Sequence, residues 1–317
     1  MSQPPRARRL AERRTRRQRI GCVVAADHDG VASRGLLRKA GLTDDDIREE
    51  IEAGRWYRLG RHTIGITQRA TTGRSAWWWA VWEAGPGAVL DGVTALQAAG
   101  LTGWQEGRLF VCVPGHNRVH ELEGVVLHRP RRTPPTAGAG VPRLRPEVAA
   151  IRAAEWAASD RQAATILAMT VQQRLVPGQR LLAEWEAALR SSRRELLEVV
   201  IRDICAGAQS LGELDFAALC RERGLPEPTR QVLRKGPRGR VYLDVFWEDL
   251  RVHVEIDGVQ HGRGLAPVDD ALRQNAVHLD GNVSLRIPVL GLRLFADRFM
   301  DQVAMALGHA QRRRASG

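Results

Sequence analysis

Between Arg240 and His261 the chain reads RVYLDVFWEDLRVHVEIDGVQH, and its polar and apolar positions alternate through two successive runs. In the second run Arg251, His253, Glu255 and Asp257 share one face, while Val252, Val254 and Ile256 take the other. That period of two predicts a half-buried strand. In the first run Tyr242, Asp244 and Phe246 share a face against Val241, Leu243, Val245 and Trp247. The interval around Glu248–Leu250 is short, so the two runs are expected to pair as a hairpin. A loop at Asp249–Leu250 puts Asp244 directly opposite Glu255, and a loop at Glu248–Asp249 puts it one diagonal step away. Either register keeps Asp244, Glu255 and Asp257 on one surface, and a slip of one residue would scatter them.

Upstream, the pattern changes to helices and a small hairpin. Ser33 is placed to cap RGLLRKAG, and Thr43 to cap DDDIREEIEAG, which stops at Gly54. RWYRLGRHTIGI then gives two short alternating runs around Gly60–Arg61. Helix, turn, helix and a two-stranded wing is the winged-helix arrangement, expected over residues 21–72. Residues 1–20, MSQPPRARRLAERRTRRQRI, carry a block of like charge and are expected to form a basic flexible arm.

Residues 73–188 predict a mixed α/β domain. AWWWAVWEAG is a helix whose tryptophans are expected to be core rather than a base-stacking platform. DGVTALQAAGL predicts a helix, RLFVCVP and HELEGVVLHR predict strands, and EVAAIRAAEWAAS and DRQAATILAMTVQQRL predict further helices. His116, His120 and His128 lie near these strands without ligand spacing. The C-terminal domain, 189–309, opens on the helix SRRELLEVVIRDICAGA and is followed by a basic tail, 310–317, expected to be flexible.

Composition narrows the function. The 317 residues carry 48 Lys and Arg against 36 Asp and Glu, a net charge of +12. A polyanionic partner, DNA above all, is expected. No run of eighteen apolar residues supports a membrane span, and the N-terminus lacks the apolar core of a secretory signal. Cys22, Cys112, Cys205 and Cys220 show no CxxC or zinc spacing, which fits reduced thiols in a cytoplasmic protein. There is no GxxxxGK[ST] and no GxGxxG, so nucleotide chemistry is not indicated.

The acids of the hairpin are the candidate chemistry. Like charges facing each other destabilise a sheet, by up to about 1 kcal/mol per pair. Hard divalent cations such as Mg²⁺ or Mn²⁺ bind oxygen-rich clusters of this kind and offset the repulsion. The alternative is an exposed hairpin face with ordinarily solvated acids. Gly258 would let the chain turn away from the site, and His261 is placed to carry a proton or touch a phosphate.

The pattern D-x10-E-x-D-G-x-x-H, from Asp244 through Glu255, Asp257 and Gly258 to His261, resembles that of the PD-(D/E)XK nuclease superfamily. Within it, the likeness is to the small endonuclease domains related to very-short-patch mismatch repair, and it covers roughly residues 193–307. The resemblance implies a restriction-endonuclease-like fold, with a mixed central sheet flanked by helices, and metal-dependent hydrolysis of DNA. It implies Asp244 and Glu255 as metal ligands, joined by an acid on a preceding helix. Glu213 is the candidate, although Ser210 three residues earlier makes it equally a capping-box residue. Glu195 and Glu198 are the less favoured alternatives. The superfamily usually carries Lys two residues after the glutamate, where this chain has Asp257. Arg273 is the first candidate for the missing positive charge, with a solvated helix residue as the alternative, and Arg286 in VSLRIPV is the second.

The stretch GLTDDDIREEIEAGRWYRLGRHTIGI is similar to the winged-helix domain of AbiEi-type antitoxins, and residues 73–188 match the region that follows it there. A cognate toxin or antitoxin is the implied protein partner. The second helix holds Asp44, Asp45, Asp46, Glu49, Glu50 and Glu52 against Arg48, so phosphates would be repelled from it. DNA is therefore expected at the wing, through Arg55, Arg58 and Arg61, and at the basic arm; otherwise this module binds protein. The reading is an α+β chain carrying a metal-dependent DNA endonuclease, or else an antitoxin-like DNA binder with an inactive nuclease fold.

Overall fold

The structure is a computed structural model. It describes residues 6–132, 134–188, 191–206, 216–235, 241–257, 268, 271–272, 275 and 284–316. The fold is mixed α+β, and the chain divides into two compact units, Met1–Arg145 and Pro146–Gly317.

The first unit begins with helix α1 (Arg6–Ala26), strand β1 (Val31–Ser33), helix α2 (Arg34–Lys39), helix α3 (Asp44–Glu52), and the wing strands β2 (Tyr57–Arg58) and β3 (Thr63–Gly65). The three strands form a sheet in the order β1-β3-β2. The caps are those expected. Ser33 accepts from Leu36 N, and Thr43 and Asp46 cap each other reciprocally at the start of α3. The core is Leu37, Leu42, Ile47, Trp56, Ile64 and Ile66, with Ile20 and Val24 of α1 packed against it.

Residues 1–20 were expected as a flexible arm, and here the structure differs. From Arg6 onward the segment is helical, continuous with the part of α1 that packs on the core. Arg17 pins it: its side chain is only 10% exposed and meets Asp46, Glu49 and Glu50 of α3. Gly21 lets α1 approach the indole of Trp56, which a Cβ at this position would meet at 2.5 Å.

Helix α4 (Arg74–Ala84) follows, then β4 (Val89–Leu90), α5 (Gly92–Ala98), β5 (Leu109–Cys112), β6 (Val125–His128), β7 (Thr136–Ala137) and β8 (Arg143–Leu144). The strands form a five-stranded sheet in the order β6-β5-β4-β8-β7. Trp78 is buried in α4, as expected of a core residue, and stacks on Trp82 at 5.3 Å, while Trp77, Trp79 and Trp82 are half-buried. The other duty of α4 is to brace the wing. Glu83 accepts from Arg61 N, His62 N and Thr63 Oγ1, and Trp79 Nε1 donates to Leu59 O.

The second unit starts with helices α6 (Pro146–Trp156), α7 (Asp160–Gln172), α8 (Gly178–Ala187) and α9 (Arg194–Ala206). Then come α10 (Phe216–Glu222), strands β9 (Arg230–Lys235), β10 (Val241–Trp247), β11 (Val252–Asp257) and β12 (Ser284–Pro288), and helices α11 (Val289–Leu294) and α12 (Ala296–Ser316). The sheet order is β12-β11-β10-β9; β9, β10 and β11 are antiparallel neighbours, and β12 is parallel to β11. A parallel neighbour requires a crossover, and Val268, Ala271, Leu272 and Asn275 in that connection are helical.

The apolar face of this sheet, Leu243, Val245, Trp247, Val252, Val254 and Ile256, packs on Phe299, Met300, Val303, Ala306, Leu307 and Ala310 of α12. Those positions recur every three or four residues, which makes α12 one continuous amphipathic helix. It runs to Ser316, so residues 310–316 continue a packed helix where a flexible tail was expected. Arg314 lies 3.8 Å from Asp249 at the hairpin turn. Among the described residues, no helix is long and apolar enough to cross a membrane.

Candidate metal centre

The polar face of the β10–β11 hairpin gathers the acids. The turn is a 3-10 element, Glu248–Leu250, closed by Arg251 in the left-handed region at φ 54°. It is longer than the two-residue loop expected, but it is centred on the same Asp249–Leu250 bond. Asp244 therefore pairs with Glu255, and Tyr242 with Asp257. The apolar face is buried against α12, so a slip of one residue would turn Val254 and Ile256 to solvent and is resisted.

Each acid has a different environment. Asp244 is 7% exposed; Arg234 Nε lies 2.7 Å from its Oδ2 and His253 Nε2 lies 3.3 Å from its Oδ1. Asp257 is 2% exposed and takes Arg286 Nε at 2.5 Å. Glu255 sits between them, its side chain 34% exposed, with the Arg286 guanidinium 4.0 Å away. Burial, then the charges of Asp257 and Asp244, push the Glu255 carboxyl above its ordinary range, and Arg286 and His253 hold back part of that rise. Burial alone would lower Arg286, yet its hydrogen bond to Asp257 and the nearby charges raise it further.

The hairpin thus brings together Asp244, Glu255 and Asp257. Glu213, His261 and Arg273 lie outside the described residues, as do Ser210 and Gly258. Glu195 is exposed on the first turn of α9. Glu198 is engaged elsewhere: hydrogen bonds from Trp185 Nε1 at 2.6 Å and Arg202 Nε at 2.5 Å hold its carboxyl below the usual range. Of the two candidates for the missing positive charge, Arg286 lies among the described residues and sits beside the acids; it pairs with Glu255 in the parallel β11–β12 register.

Of two further residues of the face, Arg234 was not anticipated, and His253 was placed there by the alternation but given no role. Arg234 comes from β9, a strand whose sequence RQVLRK does not alternate, so only the β9–β10 register reveals its position. His253 stacks on Phe246 at 4.5 Å and places Nδ1 3.2 Å from Ser284 Oγ while Nε2 faces Asp244. Its signal was legible: it stands two residues before Glu255 in an alternating strand.

Among the described residues, no group of three or more His, Cys, Asp or Glu side chains is arranged to hold a metal ion. The described donor set is the facing pair Asp244 and Glu255. Hard carboxylate oxygens, one with its pKa driven up by burial and by neighbouring acids, fit a divalent cation such as Mg²⁺ or Mn²⁺.

In the first unit the arginines assigned to DNA separate. Arg55 Nε lies 2.5 Å from Glu50 and is committed to that buried carboxylate. Arg58 and Arg61 are exposed on the wing. Burial alone would raise Glu50; the hydrogen bond from Arg55 and the charges of Arg55 and Arg17 outweigh it and hold the carboxyl low. The acids of α3 are thus partly a socket for Arg17.

Among solved structures, the chain is similar to the crystal structure of RV2827C protein from Mycobacterium tuberculosis, at 17% identity and a TM-score of 0.38, over 61% of this chain and 81% of that one. At that depth the likeness assigns no function. No protein-family model and no curated protein matches the chain.

Proposed function

We propose that the second unit is a metal-dependent DNA endonuclease of the restriction-endonuclease-like kind, acting in the cytoplasm. The observation that carries it is the direct opposition of Asp244 and Glu255, with Asp257 on the same surface. The mixed sheet, an antiparallel hairpin followed by a crossover to a parallel strand, agrees with that fold. Asp244 and Glu255 hold the ion, with Glu213 as the third carboxylate. When bound, a divalent cation lowers the pKa of a water and neutralises charge developing on the phosphodiester. Asp257 occupies the place of the family's lysine and is tied to Arg286. His261 assists proton transfer or contacts the leaving group.

The net charge of +12 supports a nucleic-acid substrate. Arg58 and Arg61 of the wing, and Arg273, are the phosphate contacts. The test is cleavage of plasmid DNA in Mg²⁺ or Mn²⁺ by the wild type, Asp244→Ala and Glu255→Ala. Cleavage by the wild type alone is expected, and equal cleavage by all three would refute the site.

A second reading has its own observation. Asp244 and Asp257 are both already partnered by arginines without any metal. This suits an antitoxin-like or regulatory DNA binder with an inactive nuclease fold, paired with a cognate toxin. Retention of duplex DNA on the protein without strand cleavage under any divalent ion would favour it.

A further inference from the structure

Position 257 lacks a lysine, but its surroundings do not lack a cation. Arg286 is the residue of β12 that pairs with Glu255, and its guanidinium extends along the sheet to Asp257. How it is held there is unusual for an edge strand. Among the described residues β12 is the last strand of its sheet, and no described strand pairs with the far side of its backbone. Asn275, 2% exposed, takes that place at Arg286 alone. Its Oδ1 accepts from Arg286 N at 2.9 Å and its Nδ2 donates to Arg286 O at 2.9 Å. Gln302 of α12 fixes the amide in turn: Gln302 Oε1 accepts from Asn275 Nδ2 at 3.1 Å, and Gln302 Nε2 donates to Leu272 O at 2.9 Å.

A buried amide that satisfies both backbone groups of one residue fixes that residue's place and direction. The side chain so aimed is the guanidinium between the two acids. We propose that Arg286 supplies, from the neighbouring strand, the positive charge missing at position 257. In this arrangement it neutralises Asp257 and leaves Asp244 and Glu255 to the divalent ion, and Asn275 is its positioning residue. With Arg234 on Asp244 and Arg286 on Asp257, the three clustered carboxylates keep one uncompensated negative charge, centred on Glu255, for a divalent cation to meet. The inference rests on the metal reading of the face given above.

The roles separate in a titration of the full-length protein with Mn²⁺ alone, followed by calorimetry. An arginine beside the acids repels the ion it helps to balance. Arg286→Gln is therefore expected to tighten Mn²⁺ binding, by roughly 3- to 10-fold, while turnover of plasmid DNA falls by about 10²-fold. Arg286→Lys returns both values toward wild type. The Asn275 clamp grips only the backbone at position 286, so it survives these substitutions, and circular-dichroism melts check that they fold. Asn275→Ala is expected to shift Mn²⁺ affinity in the same direction, with no further change in the double variant. An Asn275 that was merely structural would lower the melting temperature and leave the affinity alone.

Unchanged or weaker Mn²⁺ binding by Arg286→Gln would overturn the proposal, as would no binding by either protein. Tighter binding without DNA cleavage by the wild type would uphold the role of Arg286 and reject the nuclease.

Discussion

Asp244 stands directly opposite Glu255 across the β10–β11 ladder, two like charges at a position where sheets ordinarily avoid them. The pair has a consequence for stability. Glu255 is held above its ordinary pKa, so its ionisation opposes folding at neutral pH. For an acid with a raised folded pKa, that unfavourable contribution is present above the folded value and is relieved as pH falls through it. Glu255→Gln is expected to stabilise the protein at pH 7 by up to about 1 kcal/mol. The gain should vanish as pH is lowered through the folded pKa of Glu255, read from thermal melts of both proteins across pH.

The ion cluster between α1 and α3 has the opposite sign. Asp46 and Glu50 are both held below their ordinary values, Glu50 by Arg55 and Arg17 against the cost of burial. Their stabilising contribution is complete above about pH 4.5 and is lost as pH falls through the folded values. Arg17→Ala strips one partner from a carboxylate that is fully buried and is expected to cost about 3 kcal/mol. Arg17→Met with Glu50→Met should recover most of it. Denaturant unfolding followed by tryptophan fluorescence measures both.

Much of the fold was legible in the sequence, for reasons that name its misses too. Ser33 and Thr43 announced α2 and α3 because a cap is a local event. The alternation of VHVEID fixed the face of the hairpin and left two registers open, of which the structure adopts the one that sets Asp244 opposite Glu255. The arm and the tail were misjudged because charge density argues for solvation, whereas the deciding contacts are distant in sequence: Arg17 with α3, and Val303 to Ala310 with the sheet. Arg234 reaches the acids through the register of β9 on the next strand, and Arg286 through a parallel strand some thirty residues on, and periodicity encodes neither pairing.

DNA binding should divide the wing arginines. Arg58→Ala and Arg61→Ala are each expected to reduce the slope of log affinity against log salt by about 1. Arg55→Ala should leave that slope unchanged and lower the melting temperature, because its loss deprives buried Glu50 of a partner. Fluorescence anisotropy with a labelled duplex across a salt series separates the two behaviours.

Gly21 offers a reversal of sign. In the middle of an ordinary exposed helix, Gly→Ala stabilises by about 1 kcal/mol. Here the added methyl would meet Trp56 at 2.5 Å, with Trp56 itself 1% exposed. Gly21→Ala is therefore expected to destabilise the first unit by about 1–3 kcal/mol, seen as an earlier thermal transition.

The central claim is that the hairpin's facing acids are a hydrolytic metal centre, and single-turnover cleavage of supercoiled plasmid in Mn²⁺ tests it most directly. Asp244→Asn and Glu255→Gln keep the shape of each side chain and remove its charge. The account predicts cleavage by the wild type, abolished by a chelator, and a loss of at least about 10²-fold in each variant. Metal-independent cleavage, or wild-type rates in both variants, would contradict it.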